Sequence, residues 1–142
     1  MSDIEIAKRE IKDHSICFCF NGEFITDDGK GISPMIKLIS CGKNLKGFSV
    51  ADLIVGKAAA MLFVKAGIVC VHGKVMSKSA IIYLEKHNVK YSYDDITDMI
   101  INRQGTDICP MEKAVSLIDD YEEGYFILQK KFSELRSKVR VK

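Results

Sequence analysis

The segment NRQGTDICPMEKAV contains the residue types in this chain that are best suited to covalent chemistry. Pro110 favours the first position of a helix, which predicts Cys109 at the N-cap and Glu112 at the third helical position. A thiolate at a helix N-terminus is stabilised by the unpaired N–H groups and by the helix dipole. Cys109 is therefore a candidate nucleophile, and Arg103 would activate it further if it folds back over the thiol.

Several residues of this segment also have a purely structural interpretation. Asp107 could cap the helix instead of Cys109, which would leave the thiol as a packed interior group. Asn102 could shape the turn before Gly105. Glu112 could be an ordinary first-turn carboxylate that the helix dipole stabilises.

A second helix start lies in ADLIVGKAAAM. Gly56 and Lys57 resemble half of a P-loop, but Ala51 and Ala58 stand where that motif requires a glycine and a hydroxyl. We therefore reject nucleoside triphosphate binding of the P-loop type. A helix that begins near Gly56 would still attract an anion, and small side chains there permit close approach by a neighbour or a ligand. Asp52 is the acidic partner that we expect inside the protein.

A third helix start is VMSKSA, where Ser77 is the predicted N-cap. Serine caps helices in many proteins by accepting a backbone N–H bond, so the position by itself indicates only structure. A role in ligand binding would require the Ser77 hydroxyl to face a cavity.

The rest of the sequence supplies the elements that position these residues. Hydrophobic periodicity and turn signals first predict a helix over the first dozen residues, a hairpin with strands at 16–20 and 23–26, and a helix over 34–41. A polar connection then leads to a helix that includes GKAAAMLFVKAG and ends at Gly67, followed by a strand over 68–71 with a turn or strand end at 72–73. The remaining elements are a helix from 77 to about 87, a strand over 89–93, an ambiguous stretch over 94–101, a helix from 109 to about 120, and a final helix beyond Gly124. Strands separated by helices imply parallel crossovers, whereas the hairpin is antiparallel. The expected fold is an α/β domain with a mixed sheet and helices on both faces.

Length and composition are those of one globular domain over residues 1–142, with 47% apolar and 28% charged residues. No apolar run is long enough to cross a membrane, and the N-terminus lacks the features of a signal peptide, so we expect a cytoplasmic protein. Five cysteines without regular spacing predict free thiols, mostly buried, with Cys17 and Cys19 on one face of a strand. The net charge of +2 does not indicate a polyanion as partner.

Three blocks, DLIVGKAAA, VMSKSA and NRQGTDICPME, resemble a small family of uncharacterised microbial proteins with a cytidine-deaminase-like fold, over about residues 33–114. The resemblance implies a three-layer α/β/α sandwich in which these helix starts converge on one side of the sheet. Zinc deaminases carry H-x-E at one helix start and P-C-x-x-C at the next. GKAAA and SKSA, which occupy those places in chain order, contain no metal ligand. We therefore expect no metal, no cofactor and no zinc-dependent deamination.

The leading functional hypothesis is a metal-free deaminase-like domain that binds a small anionic or nucleotide-like ligand. The predicted lining is Asp52, Lys57, Ser77, Asn102, Arg103, Cys109 and Glu112. In this hypothesis Lys57 and Arg103 bind the anion, while Asn102 and Glu112 recognise polar groups.

Two alternatives remain open at this stage. The first is an enzyme that uses Cys109 as its nucleophile, with Glu112 or a histidine as the base. The second is an interaction protein, a homo-oligomer or an RNA-contacting protein that uses the basic C-terminal helix at about 123–142. The aromatic residues of that helix precede its basic run instead of alternating with it, which argues against nucleic acid as a partner.

Overall fold

One mixed sheet runs through the protein, whose computed structural model describes the backbone of residues 1–102 and 104–141 and the side chains of residues 1–102 and 104–135. Its strands are β1 (Ile16–Phe20), β2 (Glu23–Asp27), β3 (Ser49–Val55), β4 (Cys70–Ser77) and β5 (Lys90–Thr97). They lie in the order β2-β1-β3-β4-β5. β1 is antiparallel to both β2 and β3, whereas β3, β4 and β5 run parallel.

Helices cover both faces of the sheet. They are α1 (Asp3–Glu10), α2 (Ser33–Ser40), α3 (Lys57–Ala66), α4 (Lys78–Lys86), α5 (Pro110–Val115) and α6 (Tyr121–Val141). α1 packs over the central strands on one side, where Ala7, Cys17, Cys19 and Ala51 form a small core. The main core lies on the other side, among the remaining helices. The α/β fold with a mixed sheet is therefore confirmed, as is the shared buried face of Cys17 and Cys19.

The predicted element order was wrong at the centre of the sheet. The polar connection was expected to lead directly into the helix that contains GKAAA, but β3 lies between them. β3 pairs with β1 on one edge and with β4 on the other, and most of its residues are buried. A central strand covered on both faces does not alternate between apolar and polar residues, so period-two patterning does not reveal it.

Several predicted boundaries also differ from the observed ones. His72 and Gly73 lie inside β4 and not at its end, and β5 continues to Thr97 through the stretch that was ambiguous in the sequence. α5 ends at Val115 and not near Asp120. α6 begins at Tyr121, shortly before the predicted start near residue 123, because the Asp120 carboxylate accepts a hydrogen bond from the third backbone N–H beyond it, at 2.9 Å.

The helices of residues 1–102 and 104–141 include none that is both long and apolar enough to span a lipid bilayer.

Candidate functional site

A cavity of about 360 Å³ opens beside the N-terminus of α3, between α4, α5 and the loop that precedes α5. We call it the first cavity. It is lined by Lys57, Ser79, Ile82, Tyr83, Lys86, Met99, Ile100, Ile108, Glu112, Ser116 and Asp119. Its wall therefore combines an apolar surface with two ammonium groups, two carboxylates and hydroxyl groups.

Glu112 closes the N-terminus of α3. Its carboxylate accepts hydrogen bonds from the backbone N–H groups of Lys57 at 2.9 Å and Ala58 at 2.8 Å. The N-cap is Gly56, and a Cβ atom at that position would lie 2.6 Å from the carboxyl carbon of Glu112. Only glycine leaves room for the carboxylate. The close approach expected at Gly56 is therefore made by a side chain of the protein itself.

The environment of Glu112 acts on its proton affinity in two directions. Burial raises the pKa of the Glu112 carboxyl above its ordinary value, while the N–H groups of Ala58 and Lys57 and the Lys57 ammonium favour the ionised form. The helix dipole of α3 acts in the same sense as these donors. Glu112 thus supplies the acceptor oxygens at the start of α3 from within the protein.

The two ammonium groups of the first cavity contact oxygen atoms of neighbouring elements. The Lys57 Nζ atom donates to the Ser116 carbonyl oxygen at 3.2 Å, at the end of α5. Lys86 forms an ion pair with the Asp119 carboxylate, and the Tyr83 hydroxyl donates to the Asp119 carbonyl oxygen at 2.7 Å. These two contacts hold the ammonium groups of Lys57 and Lys86 at the wall of the cavity.

Cys109 is the N-cap residue of α5, with Pro110 at the first helical position, as the spacing predicts. Its side chain makes no capping hydrogen bond, and its backbone N–H donates to the Ile100 carbonyl oxygen at 2.9 Å. The capping-box arrangement does not form because Glu112 faces α3 instead of its own N-cap. Asp107 is not the cap either, since its carboxylate pairs with Lys113.

Ser77 and Asn102 have structural contacts at their positions. Ser77 is fully buried and caps α4, accepting the Ala80 N–H at 3.1 Å, and its neighbour Ser79 reaches the first cavity instead. The Asn102 amide shapes the turn before Gly105: its oxygen accepts the Thr106 N–H at 3.0 Å. Arg103 lies outside the described residues.

Asp52 does not join the other predicted site residues. It lines another cavity of about 250 Å³, the second cavity, on the α1 side of the sheet, with Lys8, Ile11, Lys12, Ala51, Leu53, His72, Lys74 and Asp94. Asp52 pairs with Ile16 of β1, a main-core residue, so its side chain lies on the face of the sheet away from α1. The carboxylate that contacts the start of α3 is that of Glu112. Burial raises the pKa of Asp52 to about 7, although the backbone N–H groups of Leu53 and Ile54 oppose the rise.

Sequence reasoning missed most of the first cavity's wall. Ser79, Tyr83 and Lys86 follow one another at spacings of four and three, so they share one face of α4. That spacing was a usable signal, given a helix from Ser77. The apolar residues Met99, Ile100 and Ile108 lie in an irregular segment and carried no such signal.

Within residues 1–102 and 104–141, no three histidine, cysteine or carboxylate side chains come together in a group that could hold a metal ion.

Comparison with known proteins identifies the class of this chain. Residues 6–132 match the family model TM1506, described as a domain of unknown function (DUF1893), and the chain belongs to that family. A DUF1893 family protein (TM1506) from Thermotoga maritima, solved as a crystal structure, is 30% identical to this chain. The match covers 94% of this chain and 91% of that protein, with a TM-score of 0.80.

A second solved structure, dCMP deaminase from the cyanophage S-TIM5, is 12% identical. The match covers 64% of this chain and 93% of the deaminase, with a TM-score of 0.44. The curated proteins include no significant match to the chain.

Proposed function

We propose that this chain is a binding domain for a small anionic, nucleotide-like molecule, held in the first cavity. The observation that carries the proposal is the composition of the cavity wall, where the ammonium groups of Lys57 and Lys86 stand beside an apolar surface formed by Met99, Ile100 and Ile108. Ligand cavities typically have apolar walls and a few placed polar groups, with volumes of about 300–1,000 Å³. The first cavity, at about 360 Å³, is near the small end of that range.

The wall suggests how such a ligand would lie. A phosphate or carboxylate would contact Lys57 and Lys86, and the Ser79 hydroxyl offers a further hydrogen bond. A planar ring would lie against Met99 and Ile108. The backbone N–H groups of α3 are already bonded to the Glu112 carboxylate, so lysine side chains would hold the anion in place of the helix terminus.

The test is isothermal titration of the full chain with nucleoside monophosphates and with inorganic phosphate. We expect a nucleoside monophosphate to bind more tightly than phosphate alone, because only the nucleotide uses the apolar wall. Lys86→Gln should weaken nucleotide binding by about tenfold, which corresponds to ~1.4 kcal/mol. Lys43→Gln, at an exposed lysine outside the cavity, is the matched control.

Two results would overturn the proposal. One is the absence of binding by every nucleotide and by phosphate. The other is binding that Lys57→Gln and Lys86→Gln leave unchanged, since the anion would then be held elsewhere.

The two alternatives have less support. Thiol catalysis by Cys109 was expected to use Glu112 or a histidine as its base, and the Glu112 carboxylate is bonded to the α3 N–H groups. Use of the C-terminal helix for association must be reconciled with its role in folding, since Leu128 of α6 is fully buried in the main core. The basic side chains beyond residue 135 lie outside the described residues.

A further inference from the structure

A serine, a histidine and an aspartate lie side by side on the α1 side of the sheet. His72 of β4 pairs with Ala51 of the small core and with Ser92 of β5, and Asp94 follows Ser92 by two residues, so these side chains share one face. The Nδ1 atom of His72 lies 2.7 Å from the Ser92 hydroxyl oxygen, and its Nε2 atom lies 3.3 Å from an Asp94 carboxylate oxygen. We call Ser92, His72 and Asp94 the triad. Nucleophilic catalysis uses this arrangement, in which a hydroxyl lies within hydrogen-bond reach of a base that a third group orients.

Each member of the triad has an environment that suits such a role. Ser92 is exposed on an edge strand, because α1 packs mainly against β1 and β3. The Asp94 carboxylate favours the tautomer of His72 with its proton on Nε2, which leaves Nδ1 to accept from the Ser92 hydroxyl. Burial and the Lys8 ammonium lower the pKa of His72 below its ordinary value of 6.5, although Asp94 opposes this change. The imidazole is therefore neutral at neutral pH and can accept a proton.

The second cavity gives a substrate a place beside the triad. His72 and Asp94 line it, and its volume of about 250 Å³ is below the range of about 300–1,000 Å³ typical of drug-sized ligands. Three lysines in its wall favour a substrate that carries negative charge, and they would stabilise a developing oxyanion. β3 contributes no charged side chain on this face. The charged and titratable groups around His72 are Lys8 and Lys12 from α1 and the segment after it, Cys70 and Lys74 from β4, and Lys90 and Asp94 from β5.

We propose that the triad hydrolyses a small carboxylic ester that carries a negatively charged group, with Ser92 as nucleophile and His72 as base. The Ser92 Oγ atom attacks the ester carbonyl carbon while its proton passes to His72 Nδ1. The bond between this carbon and the alcohol oxygen then breaks, and His72 returns the proton to the departing alcohol. Water attacks the acyl carbon in the second half of the reaction. His72 takes a proton from this water and gives it to Ser92 Oγ, which leaves as the carboxylic acid is released.

Asp94 is a positioning residue in this proposal, since it acts through the imidazole. The site is separate from the first cavity and does not depend on the function proposed there.

The experiment compares two esters on the full chain: 4-acetoxybenzoate, which is anionic, and its neutral methyl ester. Ultraviolet absorbance follows release of the phenol. We expect a higher kcat/KM for the anionic ester, and Ser92→Ala should lower it about a hundredfold. His72→Gln should do the same, provided that circular dichroism shows this buried position to be folded. Ser40→Ala, at an exposed serine without a histidine contact, is the matched control and should leave kcat/KM unchanged.

Two further variants test the other groups. Asp94→Asn should lower kcat and move the pH profile of kcat/KM to lower pH, because the Asp94 carboxylate raises the pKa of His72. An unchanged pH profile would remove Asp94 from the proposal. Lys74→Gln should raise KM for 4-acetoxybenzoate and leave KM for the methyl ester unchanged.

The proposal is overturned if neither ester is hydrolysed faster with the protein than in buffer alone. It is also overturned if Ser92→Ala retains the rate of the unmodified chain, because another group would then be the nucleophile. Equal kcat/KM values for the two esters would overturn the assignment of an anionic substrate.

Discussion

The buried carboxyl of Asp52 should make the stability of this protein fall with rising pH over a defined window. Burial raises its pKa from the ordinary value of 3.8 to about 7. Between these two values the folded chain retains a proton at Asp52 that the unfolded chain has lost, so the free energy of unfolding decreases as the pH increases. A pKa difference of about 3 corresponds to roughly 4 kcal/mol, which is the upper limit of the effect.

Asp52→Asn isolates this contribution. The asparagine keeps the shape of the side chain and an oxygen that can accept from the Leu53 and Ile54 N–H groups, but it does not titrate. The free energy of unfolding of the variant minus that of the unmodified protein should therefore rise by up to roughly 4 kcal/mol between about pH 4 and about pH 8. Taking the difference removes the contributions of titrating groups that both proteins share.

Urea denaturation followed by circular dichroism is the suitable assay, because the chain contains no tryptophan and urea does not screen charges. Asp13→Asn, at an exposed carboxylate, controls for the loss of one negative charge. A difference between variant and unmodified protein that stays constant with pH would refute the reasoning. So would a difference that decreases, since Asp52 would then be stabilised in its ionised form.

Two further predictions concern close contacts of α3. Replacing Glu112 by alanine should lower the free energy of unfolding by roughly 2–3 kcal/mol, because two buried N–H groups lose a charged acceptor. Gly56→Ala should expel the same carboxylate. Urea denaturation of the double variant Gly56→Ala/Glu112→Ala should therefore show a loss of unfolding free energy much smaller than the sum of the two single losses. Full additivity would contradict the contact. Gly124→Ala places a Cβ atom near the Cε atom of fully buried Met61, closer than packing allows, and should cost about 1 kcal/mol despite the higher helix propensity of alanine. Thermal denaturation measures this loss, and a more stable variant would show that Met61 moves freely.

Local signals predicted the helix starts well, because an N-cap is decided by a few neighbouring residues. Ser77 and Cys109 stand at the predicted cap positions for that reason. Strand β3 escaped prediction because its burial on both faces is a property of the assembled sheet. The α/β fold class survived this omission, since the hairpin and the later strands already required both antiparallel and parallel pairing.

The candidate site was harder to predict because its contacts join distant parts of the chain. Glu112 was expected to interact within its own helix start or with a ligand, but it bonds to N–H groups 54 and 55 residues earlier. The assignment of Asp52 to α3 followed from nearness in sequence alone. Its actual partners are Ile16 of β1 and Gly73 of β4, and only the sheet order brings these residues together.

The position of Glu112 limits how an anion could lie in the first cavity under the proposed function. Helix N-termini bind phosphate groups in many proteins through free backbone N–H groups. Here those of Lys57 and Ala58 already contact a carboxylate, and the geometry of Gly56 is fitted to it. If the proposed anion enters the first cavity, Glu112 would repel it on a direct approach to α3, so we expect Lys86 and the Lys57 side chain to make its main contacts. Selectivity would then depend on the distance of the anion from Glu112, and Glu112→Gln should increase the affinity for phosphate while Lys86→Gln decreases it.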